Sequence, residues 1–116
     1  MKYMLMIFED EAVYDDGTGA AMNAIIEKHM AFSEEIGGAM LHGAGLQPAA
    51  TATTVRTQGG TQTLHDGPFA ETREQLGGYY MVEAADLDAA IAMAKKIPLS
   101  ANGSVEVRPV MAPPGM

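Results

Sequence analysis

Lys2-Tyr3-Met4-Leu5-Met6-Ile7-Phe8, KYMLMIF, is apolar on whichever side it is viewed. Read as a strand, it sends Tyr3, Leu5 and Ile7 one way and Met4, Met6 and Phe8 the other, because successive strand side chains alternate. Gly78 to Ala84, GYYMVEA, has the same property, with Tyr80 and Val82 set against Tyr79 and Met81. Strands apolar on both faces belong to a sheet that is covered on both faces. What covers each face decides the fold.

Two helices are predicted. Over residues 19–36, Met22, Ile25, Ile26, His29, Phe32 and Ile36 recur at helical spacing as one stripe, and Gly37-Gly38 supplies a left-handed stop. Leu87, Ala90, Ile91, Ala94 and Ile97 form a second stripe, opened by Asp86 as N-cap and closed by Pro98. Residues 9–18, rich in acids, read as a loop. Short strands are predicted at Met40 to Leu46, Thr51 to Thr57, Thr61 to His65 and Ser104 to Val110, with Gly59-Gly60 as a hairpin turn.

The order is β-α-β-β-β-β-α-β. It predicts an α+β, ferredoxin-like antiparallel sheet with two helices on one face and a β-hairpin insertion. Two helices cover only one face, so a second copy of the chain is expected against the other, giving a homodimer. The alternative is a monomer whose hairpin, residues 51–65, folds across the open face. Residues 1–110 are expected to form a single domain and 111–116 a loose tail.

At 116 residues, 47% hydrophobic and 19% charged, the chain has the size and composition of an ordinary globular domain. Ten Met, three Phe and no Trp predict an adaptable core. The absence of Cys excludes disulfides, thiolate metal sites and Cys nucleophiles. A net charge of −8 without a Lys/Arg cluster argues against direct nucleic-acid binding. No segment approaches the roughly 18 apolar residues of a membrane span, and a cytoplasmic location is the expectation.

Asp66 to Tyr80, DGPFAETREQLGGYY, resembles the signature of the DGPF subgroup of YCII-related proteins. KYMLMIF, Gly45 to Arg56 (GLQPAATATTVR), Asp86 to Pro98 and Val105 to Val110 are similar to other parts of that family, so the resemblance covers nearly the whole chain. It implies a dimeric ferredoxin-like α+β barrel. For the parent group it implies an enzyme working through a His–Asp pair. Members of the DGPF branch are often encoded beside, or fused to, extracytoplasmic-function sigma factors, which implies a sigma-factor partner here.

Asp66 has two readings. Asp-Gly-Pro is a turn sequence whose carboxylate can cap the following amides. The same carboxylate at a strand end beside a cleft serves as a general acid or base. His65 points away from Asp66 while both are extended. His42, on strand 40–46 with Met40 and Ala44 on its face, is the more suitable imidazole partner for Asp66. His29, on the apolar helical stripe, reads as a satisfied core or interface histidine. The three His lack metal-ligand spacing, so no metal is expected. Arg108, opposite Val105 and Val107, and Arg56 are candidate anchors for a substrate carboxylate. Tyr79 and Tyr80 place one phenol on each sheet face, and Tyr80 is the candidate for the ligand cavity. Phe69 is expected to plug its loop into the core, and Arg73 to pair with Asp66 or a partner chain.

No G-x-G-x-x-G or P-loop is present, so no cofactor is expected. The first functional expectation is a small-molecule-binding protein or cofactor-free acid/base enzyme acting on a small acid or lactone. Its site would lie in a cleft near the dimer interface, with Asp66 and His42 catalytic and Arg108, Arg56 and Tyr80 binding substrate. The second is a non-catalytic regulatory module acting with a sigma factor.

Overall fold

The computed structural model describes residues 1–114; the last two residues of the expected tail lie outside them. Its strands are β1 (Lys2–Glu9), β2 (Met40–Gly45), β3 (Thr53–Gln58), β4 (Thr61–Asp66), β5 (Gln75–Glu83) and β6 (Gly103–Pro109). Helix α1 (Ala20–Ile36) follows β1, and α2 (Leu87–Ala94) follows β5. Four strands form one antiparallel sheet in the order β2-β5-β1-β6, while β3 and β4 pair only with each other. This is the ferredoxin-like α+β fold with a hairpin inserted between its second and third sheet strands.

The two-faced reading of β1 holds residue by residue. Tyr3, Leu5 and Ile7 are buried, and Met4, Met6 and Phe8 are half-buried. The buried side joins Val82, Phe32, Ala90, Ala94 and Ile97 in one core. Leu5 and Val82 are fully buried at its centre. Truncating Leu5 to Ala would cost about 2–5 kcal/mol, because the cavity left behind adds to the lost transfer energy. The small side chains of Ala90 and Ala94 bring α2 close to the sheet. Asp86 caps that helix by accepting from the Ala89 amide at 2.9 Å. The predicted α2 stripe is narrower than expected, since Leu87 is exposed at the helix start.

The second face stays open. Met4 and Met6 lie beside Met81 and Tyr79 there, with Arg108 and Glu106 alongside from β6. The hairpin does not close over this face, whose Met and Tyr side chains remain half-exposed. Val55 and Leu64, paired across the hairpin, are themselves exposed. The hairpin turn is as predicted: Gly59 and Gly60 have φ of 56° and 82°, which suit a tight two-residue turn.

Two strand irregularities correct the sequence reading. In β2 the pairing with β5 slips between Met40↔Val82 and His42↔Met81, leaving Leu41 as the extra residue. Met40 therefore packs against the helix-side core, while His42 and Ala44 face the open side. The expectation that Met40 shares the face of His42 fails because a bulge interrupts the alternation. In β5 the pairing with β1 slips from Ile7↔Gly78 to Phe8↔Leu76, making Gly77 the extra residue. The strand continues through this bulge to Gln75 and starts three residues before its predicted Gly78. Glu9, assigned from sequence to the acidic loop, is the last residue of β1.

Phe69 does not plug into the core. It is 78% exposed, because the hairpin that carries its loop stands off the sheet and offers no apolar surface beneath it.

Candidate functional site

The first half of α1 stands away from the sheet. Its stripe divides: Phe32 is buried and Ile36 packs on the core, but Met22 and Ile26 are exposed. Between this half-helix, the ends of β1 and β5 and the segment at Leu46–Pro48 lies a cleft of about 580 Å³. Met22, Ile25, Ile26 and Leu46 give it apolar walls. Glu9, Tyr14, His29 and Gln75 give it polar ones.

Glu9 continues the alternation Tyr3, Leu5, Ile7 and so points to the core side. At 8% exposure it is the buried charged residue among a set of apolar ones. Its Oε2 accepts from the Tyr14 hydroxyl at 2.7 Å and from the Ser100 amide at 2.8 Å. Tyr14 sits in the single 3-10 turn Glu11–Tyr14 that leads out of β1. Burial, then the bond to Glu9 and its charge, push the Tyr14 phenol up, so it remains a donor.

His29 is half-buried on α1, and its Nδ1 lies 2.8 Å from the Tyr80 hydroxyl. Tyr80 is held in place by a tilted contact with Phe32, ring centroids 5.0 Å apart. Its ring also lies across Gly43, where any Cβ would come within 2.5 Å of Tyr80 Cδ1. Burial lowers the His29 pKa from its ordinary 6.5, with the Glu9 charge opposing part of the effect. Burial raises that of Tyr80. The pair is neutral at pH 7. When Tyr80 donates to Nδ1, the imidazole carries its proton on Nε2; when Nδ1–H donates, Nε2 is the free base. Either tautomer can move one proton.

Asp66, His42, Arg56 and Arg108 do not converge on this cleft. Asp66, at the end of β4, is exposed and lines a neighbouring cleft with Asp10, Glu71 and Arg73. Among the described residues its side chain makes no hydrogen bond, so it does not cap its own turn. Arg73 pairs with Asp10 at 3.5 Å instead of with Asp66, since the loop carries it toward the end of β1. His42 is on the open face, its Nδ1 2.6 Å from the Tyr79 hydroxyl, and no hydrogen bond joins it to Asp66. Arg108 pairs with Glu106 on that same face. Arg56 is exposed on the hairpin. Tyr80 is on the helix side, opposite Tyr79, with its hydroxyl on His29.

Glu9, Tyr14 and His29 are the cleft residues to which the sequence assigns no functional role. The period-2 pattern of β1 extends to Glu9, and an acid in register with three core positions is the signal that was available. Tyr14 had none, because its partner is fixed by a turn with no periodicity. His29 was seen on the stripe, but the stand-off of the helix that leaves it beside a cleft is a tertiary fact.

Residues 1–113 match the family model of the YCII-related domain. The chain is also similar to an uncharacterised protein of Rhizobium meliloti (strain 1021), with 33% identity over 119 residues, covering 95% of this chain and 92% of that protein. With its ferredoxin-like sheet and a match across nearly its full length, the chain belongs to the YCII-related family.

Proposed function

We propose that this chain binds a small molecule in the helix-side cleft and can carry out cofactor-free acid/base chemistry there. The observation that carries the reading is the pairing of two proton-bearing groups on the walls of one cleft. Glu9 is bonded to Tyr14, and His29 to Tyr80. A general base needs an unprotonated group in a partly dry place with its orientation fixed. Burial keeps His29 neutral, and Tyr80 fixes its ring. Tyr80, expected from sequence to bind substrate, does not line the cleft, and its part in this proposal is to orient His29.

The motif from Asp66 to Tyr80 supports placing the chain in the DGPF subgroup. Asp66 belongs in this proposal as the acid/base group of the neighbouring cleft, which shares Glu11, Ala12 and Gln75 with the first. His42, Arg108 and Arg56 lie outside both clefts and would reach a ligand only across an interface between two copies. A second reading, a non-catalytic module acting with an extracytoplasmic-function sigma factor, draws on the exposed Val55, Leu64 and Phe69.

A thermal-shift screen of small acids, lactones and amines separates these readings, since a bound ligand raises the unfolding midpoint by mass action. A ligand of the helix-side cleft keeps its shift in Asp66→Asn and loses it in Ile26→Trp, which fills the opening. A ligand lost only in Asp66→Asn moves the site to the neighbouring cleft. A wild-type chain that responds to no compound but binds a purified sigma factor, with binding lost in Phe69→Ser, replaces the first reading with the second.

A further inference from the structure

Resting on the helix-side cleft as a ligand site, we infer that its ligand is a small organic cation: a protonated amine carried on an apolar body. Glu9, Glu11 and Asp15 bring three carboxylates to the cleft, and neither Lys nor Arg lines it. The decisive group is Glu9. Both of its bonds, from Tyr14 and Ser100, fall on Oε2. Oε1 accepts none among the described residues. It is nevertheless not sealed in, since no fully buried side-chain oxygen among those residues lacks a partner. Oε1 therefore keeps reachable surface on a side chain that borders the cleft.

Two donors already hold Glu9 through Oε2, and its Oε1, open at the surface, is left to accept from a ligand donor. Among the described residues no Lys or Arg pairs with Glu9. Arg73, in the neighbouring cleft, is committed to Asp10. Glu11 is part-committed, its Oε1 accepting from the Ala49 amide at 2.8 Å. His29, kept neutral, does not repel an ammonium group and can accept from it. Met22, Ile25, Ile26 and Leu46 then provide the surface for an apolar body. The arginines expected to hold a substrate carboxylate, Arg108 and Arg56, lie on the open face and the hairpin, so nothing on these walls favours an anion.

The test uses three probes of one shape: n-hexylamine, 1-hexanol and hexanoate, titrated calorimetrically at pH 7 into the full chain. Hexylammonium should bind at least about tenfold more tightly than 1-hexanol, and hexanoate least of all. In Glu9→Gln the gap between amine and alcohol should close by about tenfold. Should Glu9→Gln fail to fold, the methyl resonances of Met22 and Ile26 in the wild-type chain carry the test. Their displacement by hexylammonium, without displacement by hexanoate, supports the inference. If 1-hexanol or hexanoate binds as tightly as the amine, the cation inference falls and the cleft remains a ligand site. If none of the three moves those resonances, the inference and the reading beneath it fall together.

Discussion

The Tyr80 ring lies across Gly43 on the adjacent strand while its hydroxyl meets His29 on the helix above. One side chain thus joins the edge strand of the sheet to the imidazole of the cleft. A methyl group at residue 43 would stand 2.5 Å from Tyr80 Cδ1, 2.9 Å from Cε1 and 3.2 Å from the Tyr79 carbonyl oxygen. Gly43→Ala should therefore displace the ring and cost about 1–3 kcal/mol, as overpacking does. Chemical denaturation measures that cost. The His29 imidazole resonances should shift as Tyr80 moves, and an unchanged stability with unchanged resonances would mean the ring has room.

His29 carries a pH signature. Its folded pKa lies below the unfolded 6.5 because burial disfavours the charged ring, with Glu9, Tyr80 and Tyr14 as the neighbouring titratable groups. The unfolded chain thus binds more protons in that range, so stability rises with pH. The contribution is fully present above 6.5 and is lost as pH falls from 6.5 toward the folded value. Urea midpoints should decline from pH 7.5 to 5.5 in the wild type and decline less in His29→Gln. Parallel declines would assign the effect to other groups.

The start of α1 depends on Asp16. The helix has Gly19 at its N-cap position, with no side chain to cap it. Asp16 supplies the acceptors from three residues earlier, taking the amides of Thr18, Gly19 and Ala21 at 3.0 Å each. The Thr18 amide first and the Ala21 amide next lower its pKa to about 2. Since the folded value lies below the ordinary 3.8, the stabilisation is present above that value and is lost as pH falls through about 2. Asp16→Ala should fray the first turn of α1. Amide exchange at Thr18, Gly19 and Ala21 should speed up, while exchange around Phe32 stays slow.

The open face carries the prediction of self-association. Met6 sits at its middle, beside Tyr79 on one side and Glu106 on the other. In sedimentation the wild type should run as a dimer at micromolar concentration. Met6→Glu, which puts a second acid next to Glu106, should weaken that dimer by about a hundredfold or more, because an unpaired buried charge is costly. A compact wild-type monomer at that concentration would remove the dimer from the proposal.

The fold was readable because its information is periodic. The two-faced strands, the stripe of α2 and the Asp86 cap all follow from spacing, and so does the split of Tyr79 and Tyr80 to opposite faces. Met40 was assigned to the face of His42 and Ala44, and lies on the other, because a bulge has no composition that marks it. Phe69 was misplaced because aromatic character indicates a wish for burial and not the presence of a surface to receive it. The helix-side cleft was not readable at all. Met22 and Ile26 have the spacing of core residues, and only the distance of α1 from the sheet makes them walls.

The extra residue in β5 has a further effect. Counting by twos from Tyr80 and Gly78 would put Leu76 on the helix side and Gln75 on the open side. Gly77 inserts one step, so Leu76 is paired with Phe8 on the open face and Gln75 with Glu9 at the cleft. The bulge takes up the extra residue and so holds the register of β5 against β1 on both sides of it. Removing Gly77 would delete the bulge and leave Leu76 opposite Phe8 and Gln75 opposite Glu9, whereas keeping Gly77 without the bulge would put a leucine in the cleft and an amide on the open face. Both surfaces are thus specified by one backbone irregularity as much as by the residues that line them.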